Sequence, residues 1–231
     1  MIDLLSTIHA EPSTQADRVF LDLEDAIVRG RIPMGSKLGE ENLAARFGVS
    51  RGPLREALRR LEGRSLVVST AHTGVRVVSL DHEDLVELYE VRESLESLAV
   101  RLATERMSDA ELAGLRDLLK RNAEKAGADN DTAYSEGVSE GDFHYRIVIG
   151  SKSRRLQKLL CGDLYSLIRL CRYRTWLIPG RRRTHNDHEN ILMAMEQRDA
   201  ELAEILMRRH VRAARQRFVS ADERTAVGTA V

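Results

Sequence analysis

Apolar residues recur every three or four positions over most of this chain, and the places where that period starts, stops or changes divide it into elements. In VFLDLEDAIVRG, Val19, Phe20, Leu23 and Ile27 share one helical face and the run ends on Gly30, so the spacing predicts a first helix over about 17–29. The residues before it are polar, carry Pro12 and hold no period, which reads as a flexible arm over 1–15. After a turn at Pro33 and Gly35, EENLAARFGVSRGPLREALRRLEGRSL holds two short amphipathic segments, 40–47 and 51–62, with Gly-Val-Ser between them. Ser50 stands where an N-cap belongs, and Pro53 falls in the first turn, where a missing amide hydrogen costs nothing. Past Leu66 the pattern becomes β-rich. LVVS at 66–69 and VRVVSL at 75–80 flank TAHTG and predict a short hairpin.

From Leu80 and Asp81 to about 221 the helical period returns, almost without strand signal. Six helices are predicted, over about 81–105, 108–126, 131–150, 154–177, 181–198 and 199–219. The breaks between them are short, so successive helices should pack antiparallel. The closing DERTAVGTAV loses the period and reads as a loose tail over 222–231. The predicted fold is therefore mainly α. A winged helix-turn-helix of three helices and a hairpin over 16–78 precedes an all-helical antiparallel bundle over 79–221.

Composition agrees and removes some alternatives. With 42% hydrophobic and 31% charged residues but only 4% aromatics, the chain reads as a soluble helical protein and not a disordered one. No run approaches the roughly 18 apolar residues that span a bilayer, and MIDLLSTIHAEPST lacks the form of a signal peptide, so a cytoplasmic protein without a membrane partner is expected. Lys plus Arg and Asp plus Glu both total 36, so any basic surface must be local. Cys161 and Cys171 are ten apart in one predicted helix, about 15 Å by helical rise, too far for a disulfide. Two buried thiols are expected.

Local basicity appears in the second short segment, where Arg51, Arg55, Arg59, Arg60 and Arg64 face only Glu56 and Glu62. Leu54, Leu58 and Leu61 make its buried stripe, which leaves Arg51 and Arg55 one turn apart at the helix start, able to point together into a major groove, with Arg59 continuing the row. The hairpin tip His72-Thr73-Gly74 makes a small wing whose glycine can approach a phosphate closely. These residues resemble the GntR family of bacterial transcriptional regulators over 18 to about 78, in the turn GRIPMGSKL, in LGEENLAARFGVSRGPLREALRRLE and in the wing glycine. The resemblance implies operator contacts from Ser50, Arg51, Gly52 and Arg55, with Gly74 at the wing. Many members carry Thr where this chain has Gly52, and glycine where it has Ser65.

Histidine is scarce in the second territory, and its spacing there is suggestive. Glu140 and His144 are four apart in a predicted helix and so share a face. His188 and His210 each lie 11 residues from the break at Asp199, so an antiparallel pair sets them side by side. Three imidazoles and a carboxylate on inward faces suit a divalent transition ion such as zinc, nickel or manganese. The same stretch, about 81–215, resembles the ligand-binding FCD domain of the FadR-type branch of that family, through Phe143-His144 preceded by an acid, His188 in DHENILMAM and His210 in LMRRHV. Glu140 stands where aspartate is usual, and six helices suggest the subgroup related to VanR regulators. The resemblance implies a small organic-acid effector near the metal, with Arg92 of YEVRESLESLA as a basic anchor; an internal pair between Arg92 and Glu96 is the competing reading.

Both constellations in one chain predict a sequence-specific DNA-binding transcriptional regulator, a repressor by expectation, acting as a homodimer on a palindromic double-stranded operator and controlled by the acid. An enzyme is not expected, since no nucleophile–base motif, HExxH or phosphate-binding glycine loop accompanies the histidines. A metal-dependent hydrolase and a regulator with a purely structural metal are the alternatives.

Overall fold

The computed structural model of the chain describes residues 14–70, 73–128, 142–176 and 181–228. Two compact units result: residues up to Leu80 together with Asp163–Leu170, and Asp81–Gly162 together with the chain from Cys171 onward. The segment 163–170, read from sequence as part of the second territory, thus groups with the first unit.

In the first unit α1 (Gln15–Val28) starts at Thr14, whose hydroxyl accepts from the Asp17 amide while Asp17 answers the Thr14 amide, a reciprocal cap. Its apolar face, Val19, Phe20, Leu23 and Ile27, is buried as the period requires. Then follow α2 (Glu40–Phe47), closed by Gly48 at φ 63°, and α3 (Arg51–Gly63), which buries Leu54, Ala57, Leu58 and Leu61. The wing is larger than the hairpin expected. Lys37–Leu38 (β1) pairs with β3 (Gly74–Val77), which also pairs with β2 (Val67–Thr70), giving an antiparallel sheet in the order β1-β3-β2. Two residues are too few for a period-2 pattern, so only the pairing of Lys37 with Arg76 and Leu38 with Val75 reveals β1. Between α3 and β2, Ser65 takes φ 57°, a left-handed conformation that explains the usual glycine. Glu24 of α1, 4% exposed, is a buried acid of this unit and accepts hydrogen bonds from Arg64, Ser166 and Arg169.

The second unit is helical throughout its described residues. Its elements are α4 (His82–Arg106), α5 (Asp109–Ala128), α6 (Phe143–Gly150), a single turn α7 (Arg154–Leu156), a π-helical stretch (Gln157–Asp163), the part of α8 (Tyr165–Trp176) from Cys171 on, α9 (Arg181–Glu196) and α10 (Ala200–Gly228). α10 packs on α4 and α9, and α4 packs on α6 and α9, which brings the histidine-bearing elements around α4. Two expectations change. The helix predicted over 154–177 is interrupted by the π-helical stretch that holds Cys161, and of the helix predicted over 131–150 the described part is α6, which begins at Phe143, while 131–141 lie outside the described residues. Asp142 is extended there and its carboxylate accepts from the His144 and Tyr145 amides, a use a helix-interior aspartate could not have. Both cysteines are free and buried, and burial pushes the Cys171 thiol up to about 11.

Candidate nucleic-acid interface and candidate metal centre

Packing sorts the arginines of α3 into two sets. Arg60 and Arg64 turn inward: their guanidiniums lie 4.3 and 5.1 Å from the centre of the Phe20 ring, and they donate to Asp17 and Glu24 of α1 at 2.6 and 3.2 Å. Arg51, Arg55 and Arg59 point outward and are exposed. Arg55 Nε donates to Glu40 of α2 at 2.8 Å, and Arg59 pairs with Glu56. Ser50 holds the N-cap backbone conformation, yet its side chain makes no capping hydrogen bond. The reason is local, since the third helical residue is Pro53, which has no amide hydrogen to give. A helix N-terminus with few backbone donors used, a spare hydroxyl and flanking guanidiniums is suited to phosphate oxygens. Beside it Gly52 is exposed, and a Cβ there would meet nothing within 4 Å, so the fold itself does not require glycine. Gly74 does meet a backbone requirement, with φ 85° at the start of β3; His72 lies outside the described residues.

In the second unit the three sequence-predicted histidines meet. His188 Nε2 lies 3.2 Å from His144 Nε2 and 3.3 Å from His210 Nε2, and one ligand atom from each lies within 4.8 Å of the other two. α6, α9 and α10 supply one ring each, as the symmetry about Asp199 required of the last two. Phe143 stacks on His188 with ring centroids 4.5 Å apart, so the Phe-His pair has a physical role: one residue joins the histidine cluster and its neighbour supports another ring of it. Glu140 lies outside the described residues. Asp142 is engaged elsewhere, as cap of α6 and partner of Arg172. Burial alone would raise its carboxyl, but the Arg172 guanidinium and then His144 hold it below the usual range.

Two carboxylates that the sequence did not mark as part of this centre orient the rings. Glu96 Oε2 sits 2.6 Å from His144 Nδ1, and Asp187 Oδ2 sits 3.3 Å from His210 Nδ1. Asp187 adjoins His188 in sequence, a usable signal, whereas Glu96 is 48 residues from His144 and is joined to it only by the packing of α4 on α6. Burial, with Arg172 adding to it and Glu96 opposing, pushes His144 down to about 4, so the ring is neutral and donates Nδ1–H to Glu96. Burial would raise Glu96, yet the Arg92 guanidinium and His144 hold it well below the carboxylate range.

His144 gives its Nδ1–H to Glu96 and His210 Nδ1 meets Asp187, and the Nε2 atoms of both rings face His188 Nε2. Nitrogens 3.2 and 3.3 Å apart repel unless a cation lies among them, and nitrogens about 2.0–2.1 Å from one ion at tetrahedral angles stand at about that spacing. The donor set therefore fits a divalent transition ion. Through Glu96 the cluster is joined to Arg92, 2% exposed, with Nε donating to Glu96 Oε1 at 2.8 Å and its guanidinium 4.7 Å from the Tyr89 ring centre. The internal pair expected as one alternative exists, and it leaves Arg92 Nη1 buried without a hydrogen-bond partner.

The comparisons with known proteins cover both units. Residues 15–77 match the bacterial regulatory proteins of the gntR family and residues 87–213 match the FCD domain. The chain is 36% identical over 165 residues to the Nta operon transcriptional regulator of Aminobacter aminovorans, covering 71% of this chain and 75% of that protein. It is 30% identical over 203 residues to the HTH-type transcriptional repressor GlaR of Escherichia coli strain K12, covering 82% and 89%. Among solved structures, a GntR transcriptional regulator from Rhodococcus sp. RHA1 superposes with a TM-score of 0.70 at 25% identity, covering 90% of this chain and 98% of that one. An exposed arginine row on a winged helix-turn-helix, joined in one chain to a helical domain in which three histidines converge, belongs with these proteins: the chain is a DNA-binding transcriptional regulator of the GntR family, with an FCD domain as its second part.

Proposed function

We propose that this regulator is a repressor whose hold on its operator is set by a small organic acid bound at a divalent transition metal in the FCD domain. The observation that carries the reading is the convergence of His144, His188 and His210 with a buried guanidinium nearby that keeps one nitrogen unpaired. In this reading the three histidines hold the ion, and Glu140 is the carboxylate ligand on the family resemblance alone. A bound ion supplies a Lewis-acidic anchor for a carboxylate. Arg92 Nη1 supplies the second anchor, and an anion held by a guanidinium in a water-poor site is well compensated.

Arg51, Arg55 and Arg59, with Ser50, Gly52 and Gly74, form the operator surface. Two copies in a homodimer address the half-sites of a palindrome, because one winged domain touches too few bases for a useful specificity ratio. Effector binding shifts the population of dimer arrangements and hence the fit to the half-sites. The repressor sign is taken from relatives such as GlaR, which carries that name.

Operator binding to the chain's own upstream region, at fixed salt, with and without a chelator and a panel of small organic acids, tests the reading. Specific binding released by one acid only in metal-loaded protein is the expected result. Specific binding indifferent to every acid would leave a structural metal, and sequence-blind binding would remove the operator assignment.

A further inference from the structure

We propose that Glu96 is a positioning residue for the metal centre: it fixes the tautomer and orientation of His144 so that Nε2 is presented as a lone pair, while Arg92 clamps Glu96 and keeps Nη1 for an anion. The inference rests on the metal reading above and concerns how the centre is built rather than what it binds.

Both oxygens of Glu96 are committed. Oε2 meets His144 Nδ1 at 2.6 Å, and Oε1 accepts a hydrogen bond from Arg92 Nε at 2.8 Å with Arg172 Nη2 at 3.9 Å. An ionised carboxylate only accepts, so the proton of His144 must sit on Nδ1, and the ring nitrogen facing the other two histidines is the unprotonated one. The charge balance of the surrounding groups agrees. Among the described residues the carboxylates of Glu96 and Asp142 already pair with the guanidiniums of Arg92 and Arg172. Glu96 is 2% exposed, which keeps water from competing for Nδ1. Asp187 does the same for His210, but at 3.3 Å and with its side chain 27% exposed, so its hold is the looser of the two.

One guanidinium thus serves two groups. Arg92 Nε points along α4 to Glu96, one turn on, and Nη1 faces away from it without a partner. Any anion that takes Nη1 binds a side chain already tied to a ligand of the ion, so occupancy of the two positions is coupled through Glu96. By linkage, metal and anion then each change the other's affinity by the same factor.

The test uses the full chain and Zn²⁺ as probe, in competition with a chromophoric chelator, together with long-range ¹H–¹⁵N NMR of the histidine rings. Wild type should bind about one zinc per chain and show His144 protonated on Nδ1. R92M/E96L removes both charges while roughly keeping volume and should fold. Its zinc affinity should fall about 10–100-fold and its His144 should become a tautomer mixture. E96Q keeps an acceptor oxygen and should recover part of the affinity and the Nδ1–H signature; D187N should lose less than R92M/E96L. A counter-ion role for Glu96 alone would move neither the tautomer nor the zinc affinity. If wild type binds no zinc, the metal reading falls and takes this inference with it. If wild type binds zinc while R92M/E96L binds it within about threefold, or if wild-type His144 carries its proton on Nε2, the role of Glu96 is overturned by itself. Should R92M/E96L not fold, the wild-type tautomer and E96Q still decide.

Discussion

Two arginine–glutamate pairs in this chain have the same geometry and opposite consequences. Arg55 Nε to Glu40 and Arg92 Nε to Glu96 both measure 2.8 Å, but the first pair is 62% and 35% exposed and the second 2% and 3%. In water such a pair is worth about 0–1 kcal/mol, so Arg55 can leave Glu40 for a phosphate or a base at almost no loss. In the interior neither partner can be rehydrated, and the pair behaves as a fixed part of the structure. An operator surface built on the exposed pair would work by exchanging partners, whereas the buried pair is fixed. The same residue types at the same distance therefore say nothing about role until burial is known.

The comparison is broken most severely by removing the acid from each pair. Glu96→Ala leaves Arg92 charged and unpaired in the core and should cost about 3–5 kcal/mol in urea unfolding, while Glu40→Ala should cost no more than about 1 kcal/mol. Equal losses would mean that burial does not separate the two pairs.

Next in size is the pH response of the metal-free chain. The folded value of His144, about 4, lies below its ordinary 6.5, so the unfolded chain takes up the proton first as pH falls. The contribution is complete above pH 6.5 and is lost between 6.5 and about 4, roughly 3 kcal/mol in all. Glu96, depressed below its ordinary 4.5, acts in the same direction at lower pH: its contribution is present above 4.5 and is lost as pH falls through its folded value. Urea midpoints at about pH 7.5 and about pH 4.5 should therefore differ, and His144→Gln should flatten the upper part of the curve.

On the exposed side, Arg55→Ala should weaken specific operator binding by about 1–3 kcal/mol, roughly 5–150-fold at fixed salt, and change stability by less than about 0.5 kcal/mol. Arg60→Ala sharpens the contrast, since it loses the Phe20 stack and the Asp17 bond and should lower stability with little direct effect on base contacts. The smallest effect is expected at Ser65, where φ 57° penalises a side chain: Ser65→Gly should raise stability by about 1 kcal/mol without changing operator affinity.

Much of the architecture was legible because it is periodic. α2 and the start of α3 fall where the apolar stripe put them, and His188 and His210 meet because their turn lies midway between them. What escaped was not periodic. β1 is too short to carry a pattern, and the π-helical stretch interrupts a run whose apolar spacing looks continuous. The start of α6 was hidden because Asp142 could as well have been a surface residue inside a longer helix as the cap it is.

By itself the sequence determined the elements, the winged order of the first unit, the outward row Arg51, Arg55 and Arg59 and the three histidines that converge, because each follows from spacing along one helix or across one turn. Only the tertiary structure decided that Ser50 makes no capping bond, that Arg60 and Arg64 brace α1, that Glu96 and Asp187 orient the rings, and that Arg92 is both paired and left with one unpaired nitrogen. Those depend on which side chains are excluded from water and on contacts between residues as far apart as 48 positions, and no local pattern encodes either.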